Sequence, residues 1–572
     1  MASIGRFGFS FVVAVALCGC NTEPMQTSLQ PIEEPASVIF VNVDVVTMNA
    51  AQPEAEAVAV RDGKILAVGS RAEVEATVGD NVQIRDLNGR TLVPGLIDAH
   101  GHITFTSHVV AIADLQPPPA GSATSISDIQ KILREWWAQN PDASWLQGFG
   151  YDDSLLVEGR HPTREDLDAI SSDIPIVLQH VSGHLSVCNS KCLELAGISA
   201  DTDNPGGGVI RRFPGSREPN GVLEENAMYL VYYVLPRPDI ERRFAHLKLA
   251  QDYYAQNGIT TIQDGGLGPS ELALLRKASQ MGQLYLDVAA FPIISRGVKL
   301  PTDLKASHDY QNHFRIGGIK LMLDGSPQGK TAWLTQPYLK PPEGQPDNYA
   351  GYPILEDKEV VNLVSEAFAR KLPVLAHANG DAASDQLIRA VTVANEIHGV
   401  ADRRTVMIHA QTVREDQIDQ MKVQGIIPSY FVAHTFYWGD WHRDSVLGQE
   451  RASRISPLKS TLDRNMLFTT HTDTPVVPAH MMHLIWTAVN RVTRSGQVLG
   501  EAQRISPLEA LKSITINAAY QYFEEQSKGS IEPGKLADLV VLSENPLKVE
   551  PMDIKDIQVL ETIKTGKTVY RR

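Results

Sequence analysis

The sequence predicts an α/β protein: a (β/α)8 barrel of the TIM type, with a composite N-/C-terminal β-sandwich and an inserted α/β subdomain. Three observations lead there. Short apolar runs alternate with helical stretches through the middle of the chain, the pattern of parallel βα units. Eight such runs end near His100, Asp264, Pro292, Asp324, His377, His409, Tyr430 and Asp473, and eight units close a barrel in about 250 residues or more. Strand-rich segments bracket this region at both ends of the chain.

Composition agrees with a folded chain of several units. The 572 residues are 43% hydrophobic and 21% charged, which excludes a disordered or collagen-like polymer. Lys+Arg number 52 against 67 Asp+Glu, a net charge of −15 without a basic block. Nucleic-acid binding needs a positive face and is excluded as the main role. Four cysteines at this length exclude a disulfide scaffold and a thiolate zinc cluster.

Residues 1–19 read as an export signal. Arg6 is their only charge, and the apolar run Phe7–Leu17 is shorter than the roughly 20 residues that span a bilayer. Leu17-Cys18-Gly19-Cys20 resembles a bacterial lipobox, which implies lipidation at Cys20. Residues 20–36, with Pro24, Pro31 and Pro35, suit a tether. The expectation is an exported protein held in the cell envelope by its N-terminal lipid. Asn21 after Cys20 favours the periplasmic side of the outer membrane. An ordinary signal cut elsewhere, with a soluble product, is the alternative.

The sandwich is expected over 37–93 and 527–572. Val38–Val41, Ala57–Val60 and Ile65–Val68 are strand-like, with turns at Asp62-Gly63 and Asn88-Gly89, the dipeptides that favour hairpins. Ala537–Leu542 and Val559–Ile563 flank a turn at Gly566. The barrel is expected over 94–116 and 243–526. The gap between its first two strands is too long for one helix, so 117–242 reads as a lid subdomain. There Ile129, Ile132, Leu133, Trp136 and Trp137 follow helical spacing, with Ser127 as expected N-cap. Strand-like Ile174–Gln179 and the loop Asn204–Gly208 follow. Cys188 and Cys192, four apart in an apolar stretch, read as buried thiols, because an i,i+4 bridge along a helix has poor geometry.

The chemistry is concentrated where strands end. His100 and His102 are two apart, so on a strand they share a face and can converge on one metal. Pro373–His377 and Thr405–His409 are apolar runs that stop on histidine, and Met466–Asp473 stops on aspartate. One polar residue closing a buried strand is commonplace capping. Four strands ending in imidazole or carboxylate on one rim are hard to explain as packing, and these are the groups that zinc and similar ions prefer.

With these residues in view, Pro94–His102 resembles the first-strand signature of the amidohydrolase superfamily, and Gly529–Val540 (GSIEPGKLADLV) its C-terminal signature. Gly317–Gly325 (GGIKLMLDG), His377–Asp381 (HANGD), Ile408–Gln411 (IHAQ) and Phe436–Trp441 (FYWGDW) are similar to the branch containing N-substituted formamide deformylases. The resemblance covers nearly all of the chain after the signal. It implies that His100, His102, His377, His409 and Asp473 are metal ligands, and that Lys320 is a bridging lysine carboxylated by carbon dioxide. The cofactor implied is one or two divalent ions, with zinc the leading choice. A pairing of Lys320 with Asp324 is the plain alternative, and it would leave room for one metal. Two positions depart from the branch: Ile408 stands where many relatives have glutamate, and His471-Thr472 where a small residue and serine are commoner.

The reaction expected is hydrolysis of a non-peptide carbon–nitrogen bond by metal-activated hydroxide, with Asp473 as general base then acid. His434, after the seventh strand, is the candidate to hold the oxyanion. His184, Tyr437 and Trp438 are the candidates for substrate contact. The partner is a small amide, N-acyl or N-formyl compound, and a homo-oligomer is compatible with the sequence. Two rivals remain. One is a lactonase or phosphotriesterase using the same site; the other is a non-catalytic ligand-binding lipoprotein.

Overall fold

The computed structural model describes residues 37–78, 82–236, 238–294, 296–342 and 344–572. The expected signal, Cys20 and the tether lie outside the described residues. Among those described, no helix is long and apolar enough to cross a membrane.

The architecture is α/β, and its centre is two arcs of parallel strands. Leu96–Ile97, Ile259–Leu267, Asp287–Pro292 and Phe314–Ile316 pair in that order. Ile319–Met322, Val374–Ala378, Thr405–His409, Ile426–Tyr430 and Thr469–Thr470 form the second arc. The arcs meet where Gly317 and Gly318 interrupt one run. A Cβ on Gly317 would lie 2.3 Å from the Phe291 ring, and one on Gly318 2.2 Å from the Pro373 carbonyl, so only glycine lets the chain pass. A parallel bridge joins Ile293 to Lys320 at this seam. At the opposite seam Asp473 N–H donates to His100 O at 3.1 Å, and His102 N–H to Thr474 O at 3.0 Å.

Helices cover the outside for the reason their sequences suggest. In Asp357–Ala369 the buried residues are Val360, Leu363, Val364, Ala367 and Phe368, an i, i+3, i+4, i+7, i+8 stripe. Each large apolar side chain so buried contributes about 1.5–3 kcal/mol relative to exposure. Acidic Asp357 and Glu359 occupy the first turn, where the helix dipole favours them.

The two ends of the chain share one sheet. Gln83–Pro94 pairs parallel with Ser37–Val46 and antiparallel with Leu539–Leu542. One face buries Phe40, Val58, Leu92, Leu539 and Ile563; the other packs Ile39, Val41 and Ala59 against helix Arg71–Val78. Asp62-Gly63 is a hairpin turn, both residues at positive φ (50° and 73°), between Ala57–Arg61 and Lys64–Gly69. Asn88-Gly89 is not a turn between strands. Its positive φ angles, 53° and 74°, fall inside the single strand Gln83–Pro94, and the pairing with the first strand shifts register there. The left-handed pair makes a bulge because partners on both sides hold the strand in place.

This sheet is bonded to the parallel arcs through a buried ionic network. Lys564 Nζ lies 2.5 Å from Asp287 and 2.7 Å from Asp538. Lys528 Nζ lies 2.6 Å from Asp287 and 2.8 Å from Glu524, which Arg315 meets at 2.7 Å.

Between the first two parallel strands lies a six-stranded sheet: Gly208–Arg212, Pro219–Glu225, Leu185–Cys188, Ile176–His180, Leu146–Tyr151 and Ala113–Asp114, in that order. Helix Ile126–Gln139 packs Ile126, Ile129 and Leu133 into it. The cap is Ser125, whose hydroxyl accepts Asp128 N–H at 3.0 Å, two residues before the expected Ser127. Cys188 and Cys192 are joined in a disulfide, Cα atoms 5.4 Å apart, instead of standing as separate thiols. The expected obstacle does not arise because they are not on one helix. Cys188 ends a strand, Asn189 caps the next element, and Cys192 lies in helix Ser190–Leu195.

Candidate metal centre

Strands that end on histidine or aspartate bring their side chains to one point. His102 Nε2 is 3.1 Å from Asp473 Oδ1, and His100 Nε2 is 3.5 Å from the same oxygen. His409 Nε2 is 4.0 Å from Asp473 Oδ2. Lys320 Nζ is 3.1 Å from His100 Nε2. Donor atoms of His100, His409 and Asp473 all lie within 4.8 Å of one another. His377 stands beside them, its ring centre 4.5 Å from that of His409.

The backbone is bent to achieve this. His409, Ala410 and Asp473 have φ of 73°, 45° and 56°, a region non-glycine residues seldom occupy outside over-determined sites. Gly265 makes room for the His100 ring: a Cβ there would lie 2.4 Å from His100 Cε1.

Neighbours set the tautomers. Gln263 Nε2 donates to Ala99 O at 3.0 Å and to Tyr522 Oη at 2.8 Å, so its Oε1 accepts from His100 Nδ1. The Nε2 lone pair of His100 is thereby aimed at Lys320 and Asp473. His377 Nδ1 donates to Asp324 Oδ1 at 3.1 Å, which leaves the lone pair on Nε2, where the Asn379 amide lies at 3.3 Å. Orientation of a ligating imidazole by a partner on its other nitrogen is typical of metal sites. Asp324 also accepts the backbone N–H groups of Asn379, Gly380 and Trp333. Its oxygens are engaged there and Lys320 faces His100 instead, so the plain Lys320–Asp324 pairing is not made.

Electrostatics give the cluster its character. Burial, together with neighbouring Lys320 and His102, holds His100 well below the usual imidazole range. Burial and the adjoining histidines do the same to His409. Burial pushes the Lys320 ammonium down to about 7, with Asp473 opposing. Burial alone would raise Asp473, but the hydrogen bond from His102 and the surrounding positive groups leave it lowered. The result is that His100, His377 and His409 are held neutral around one carboxylate, a donor set that fits a divalent cation.

A cleft opens over this cluster, lined by His377, His409, Asp473, His434, His184 and Ser182 among others. His184 comes from the inserted sheet; burial pushes its imidazole down, but Glu225 at 3.0 Å outweighs that and raises it. Tyr437 and Trp438 do not line this cleft. They are buried around a neighbouring small cavity, separated by Val476, and Trp438 Nε1 donates to Asp152 Oδ2 at 3.0 Å. Their aromatic surface packs the inserted subdomain against the strand ends, which their spacing in the sequence could not reveal.

Several contributors carried no sequence signal of their own. Gln263 precedes a strand-end aspartate, Asp264, which accepts Thr104 N–H at 2.9 Å next to His102. His471 Nε2 meets His409 Nδ1 at 3.1 Å, and its own Nδ1 meets Ser429 Oγ at 2.9 Å. Asp152, Asp153 and His180 form a second cluster in the inserted subdomain. Ser182 N–H donates to His180 Nδ1 at 3.1 Å, which leaves the proton on Nε2, 3.1 Å from Asp153 Oδ1.

Comparison with known proteins adds four findings. The amidohydrolase family profile matches residues 83–570. The chain is 30% identical to the LONG AFTER FAR-RED 3 protein of Arabidopsis thaliana, over 98% of this chain and 96% of that one. It is 27% identical to the N-substituted formamide deformylase of Arthrobacter pascens, over 94% and 98% of the two chains. Among solved structures, an uncharacterized metal-dependent hydrolase from Pyrococcus horikoshii superposes with a TM-score of 0.70 at 24% identity, covering 90% of this chain and 99% of that one.

Proposed function

The chain belongs to the amidohydrolase family, and on that premise we propose that it hydrolyses a non-peptide carbon–nitrogen bond of a small amide, N-acyl or N-formyl compound. The observation that carries the reading is the convergence of His100, His102, His409 and Asp473 at the floor of the cleft, with His100 and His409 held neutral by burial. His377 completes the ligand set. A divalent ion held there, with zinc best suited to these nitrogen and oxygen donors, supplies Lewis acidity toward the substrate carbonyl and toward water.

The chain's own residues do the rest. Asp473 is ionised and faces the cleft; it takes the proton of the attacking water and returns it to the departing nitrogen. His434 hydrogen-bonds the oxygen that gains charge. His184 orients the substrate from the inserted subdomain. Lys320, whose pKa of about 7 leaves much of it unprotonated near neutrality, captures carbon dioxide by attack of its amine nitrogen on carbon with loss of a proton. The carbamate so formed would be an anionic oxygen donor that could help hold a second ion.

The same reading takes the two parallel arcs as one closed eight-stranded barrel, 117–242 as its lid, and Cys20 as the lipidated anchor of an exported protein. The one relative described above that is named for formamide deformylation supports an N-formyl or N-acyl substrate by family alone. A panel of N-formyl and N-acyl amines, lactones and phosphotriesters tests the bond. Faster turnover of amides supports the proposal; a lactone turned over faster overturns it.

A further inference from the structure

His434 and His442 form a buried pair at the edge of the cleft. His434 Nδ1 and His442 Nε2 are 2.9 Å apart. The ring planes are 11° apart and the centroids 5.2 Å apart, as for two nearly coplanar rings joined nitrogen to nitrogen. One proton lies between them, and two assignments exist. If His434 donated, the remaining proton of His442 would sit on Nδ1, an atom that is buried and has no hydrogen-bond partner. A buried N–H without an acceptor costs the full desolvation of a donor, about 1–3 kcal/mol, and such orphans are rare. If His442 donates from Nε2, its Nδ1 keeps only a lone pair, the milder deficit. His434 then carries its proton on Nε2.

That nitrogen is the one left for the cleft: His434 lines it, and among the described residues its Nε2 has no hydrogen-bond partner. Apolar surroundings hold the arrangement. Phe431 and Trp438 ring centres lie 4.7 Å from that of His434, and both histidines are at most 2% exposed. Burial, reinforced by His442, keeps His434 well below the usual imidazole range, and burial takes His442 down to about 3. The pair is neutral at working pH.

We propose that His442 is a positioning residue that sets the tautomer of His434, so that the cleft is presented with a neutral Nε2–H donor. The inference rests on the functional reading above, since a donor at this place serves a substrate carbonyl whose oxygen gains charge. Selection of one imidazole tautomer by a partner on the far nitrogen is a known route to large rate effects. It also explains why an uncharged histidine serves: a fixed donor needs no titration.

The test is 15N NMR of ring nitrogens in the metal-loaded protein, with the His434 signals assigned by loss in His434→Gln. The proposal expects Nε2 protonated and Nδ1 unprotonated in the unaltered protein. Protonation at Nδ1 would overturn it, and this reading needs no second variant to fold. His442→Phe should move the Nδ1 signal toward the protonated value and lower kcat about 10- to 100-fold with KM nearly unchanged. His442→Gln, whose amide N–H can still donate, should recover most of both. Unchanged ring signals in His442→Phe would contradict the proposal. If Nε2–H is seen but no amide is hydrolysed, the functional reading fails while the tautomer assignment stands.

Discussion

Two buried polar clusters sit at opposite ends of the parallel strands, and they are built on opposite rules. At the N-terminal ends, Asp287, Asp538 and Glu524 are matched against Lys528, Lys564 and Arg315, every charge within 3 Å of its opposite. Burial alone would raise Asp287, but the two lysines leave its carboxyl well below the usual range. At the C-terminal ends, His100, His102, His377, His409 and Lys320 gather around Asp473, with Asp324 bound to the far side of the His377 ring, and burial strips protons from several of them. A cluster that pairs its own charges holds two sheets together. One that leaves lone pairs converging on a shared space is arranged to receive a cation.

Substitutions should separate the two. The largest effect is expected from Asp473→Asn, which keeps the shape but removes the proposed proton carrier. kcat should fall about 10²–10⁴-fold, with the far-ultraviolet circular dichroism unchanged; a rate within threefold of the original would remove Asp473 from the chemistry. Asp287→Ala should do the reverse. Leaving Lys528 and Lys564 buried without their anion should cost about 3–5 kcal/mol in denaturant unfolding, while activity per folded molecule holds. A loss of activity without loss of stability would erase the distinction between the clusters.

Gln263→Leu is subtler, because Gln263 reaches the cluster only through the far side of His100. Metal affinity, measured by chelator competition, should weaken about 10- to 100-fold with little change in KM. Equal affinity would mean that the Gln263 hydrogen bond does not orient the ligand.

The smallest effect is a pH dependence of the metal-free protein. His100, His409 and His434 have depressed values when folded, and His471 and His442 fall to about 3. An unfolded histidine titrates near pH 6.5, so below that pH the unfolded chain binds more protons and stability declines as pH falls. Asp287 and Glu524 are depressed carboxylates; their contribution persists until pH drops below about 4. Denaturant titrations at pH 8, 6 and 5 should therefore show progressive loss, reduced by added zinc. A flat profile across that range would contradict the assignment of buried neutral imidazoles.

What could be read from the sequence follows from how local each signal is. Strands that end on His377, His409 and Asp473 announce themselves because period and terminal residue lie within a few positions of each other. Their convergence on His100 follows once the strands are parallel. Asn88-Gly89 misled because the same left-handed pair serves a turn or a bulge, and the choice belongs to partner strands, one of them about 450 residues away. Ser125 and Ser127 are both competent caps, and the helix start decides between them. Gln263, Asp324 and His442 act through side-chain hydrogen bonds to histidines 163, 53 and 8 positions away, which leave no periodic trace. Tyr437 and Trp438 looked like pocket residues for their chemistry, while packing against the inserted subdomain settles where they go.

The most direct test is elemental analysis of the protein purified without chelator, alongside His100→Ala and Asp473→Ala. The account predicts one or two equivalents of zinc or a similar divalent ion per chain, two if Lys320 is carboxylated, with marked loss in both variants. A folded protein that holds no such ion, and takes up none when supplied, would contradict it.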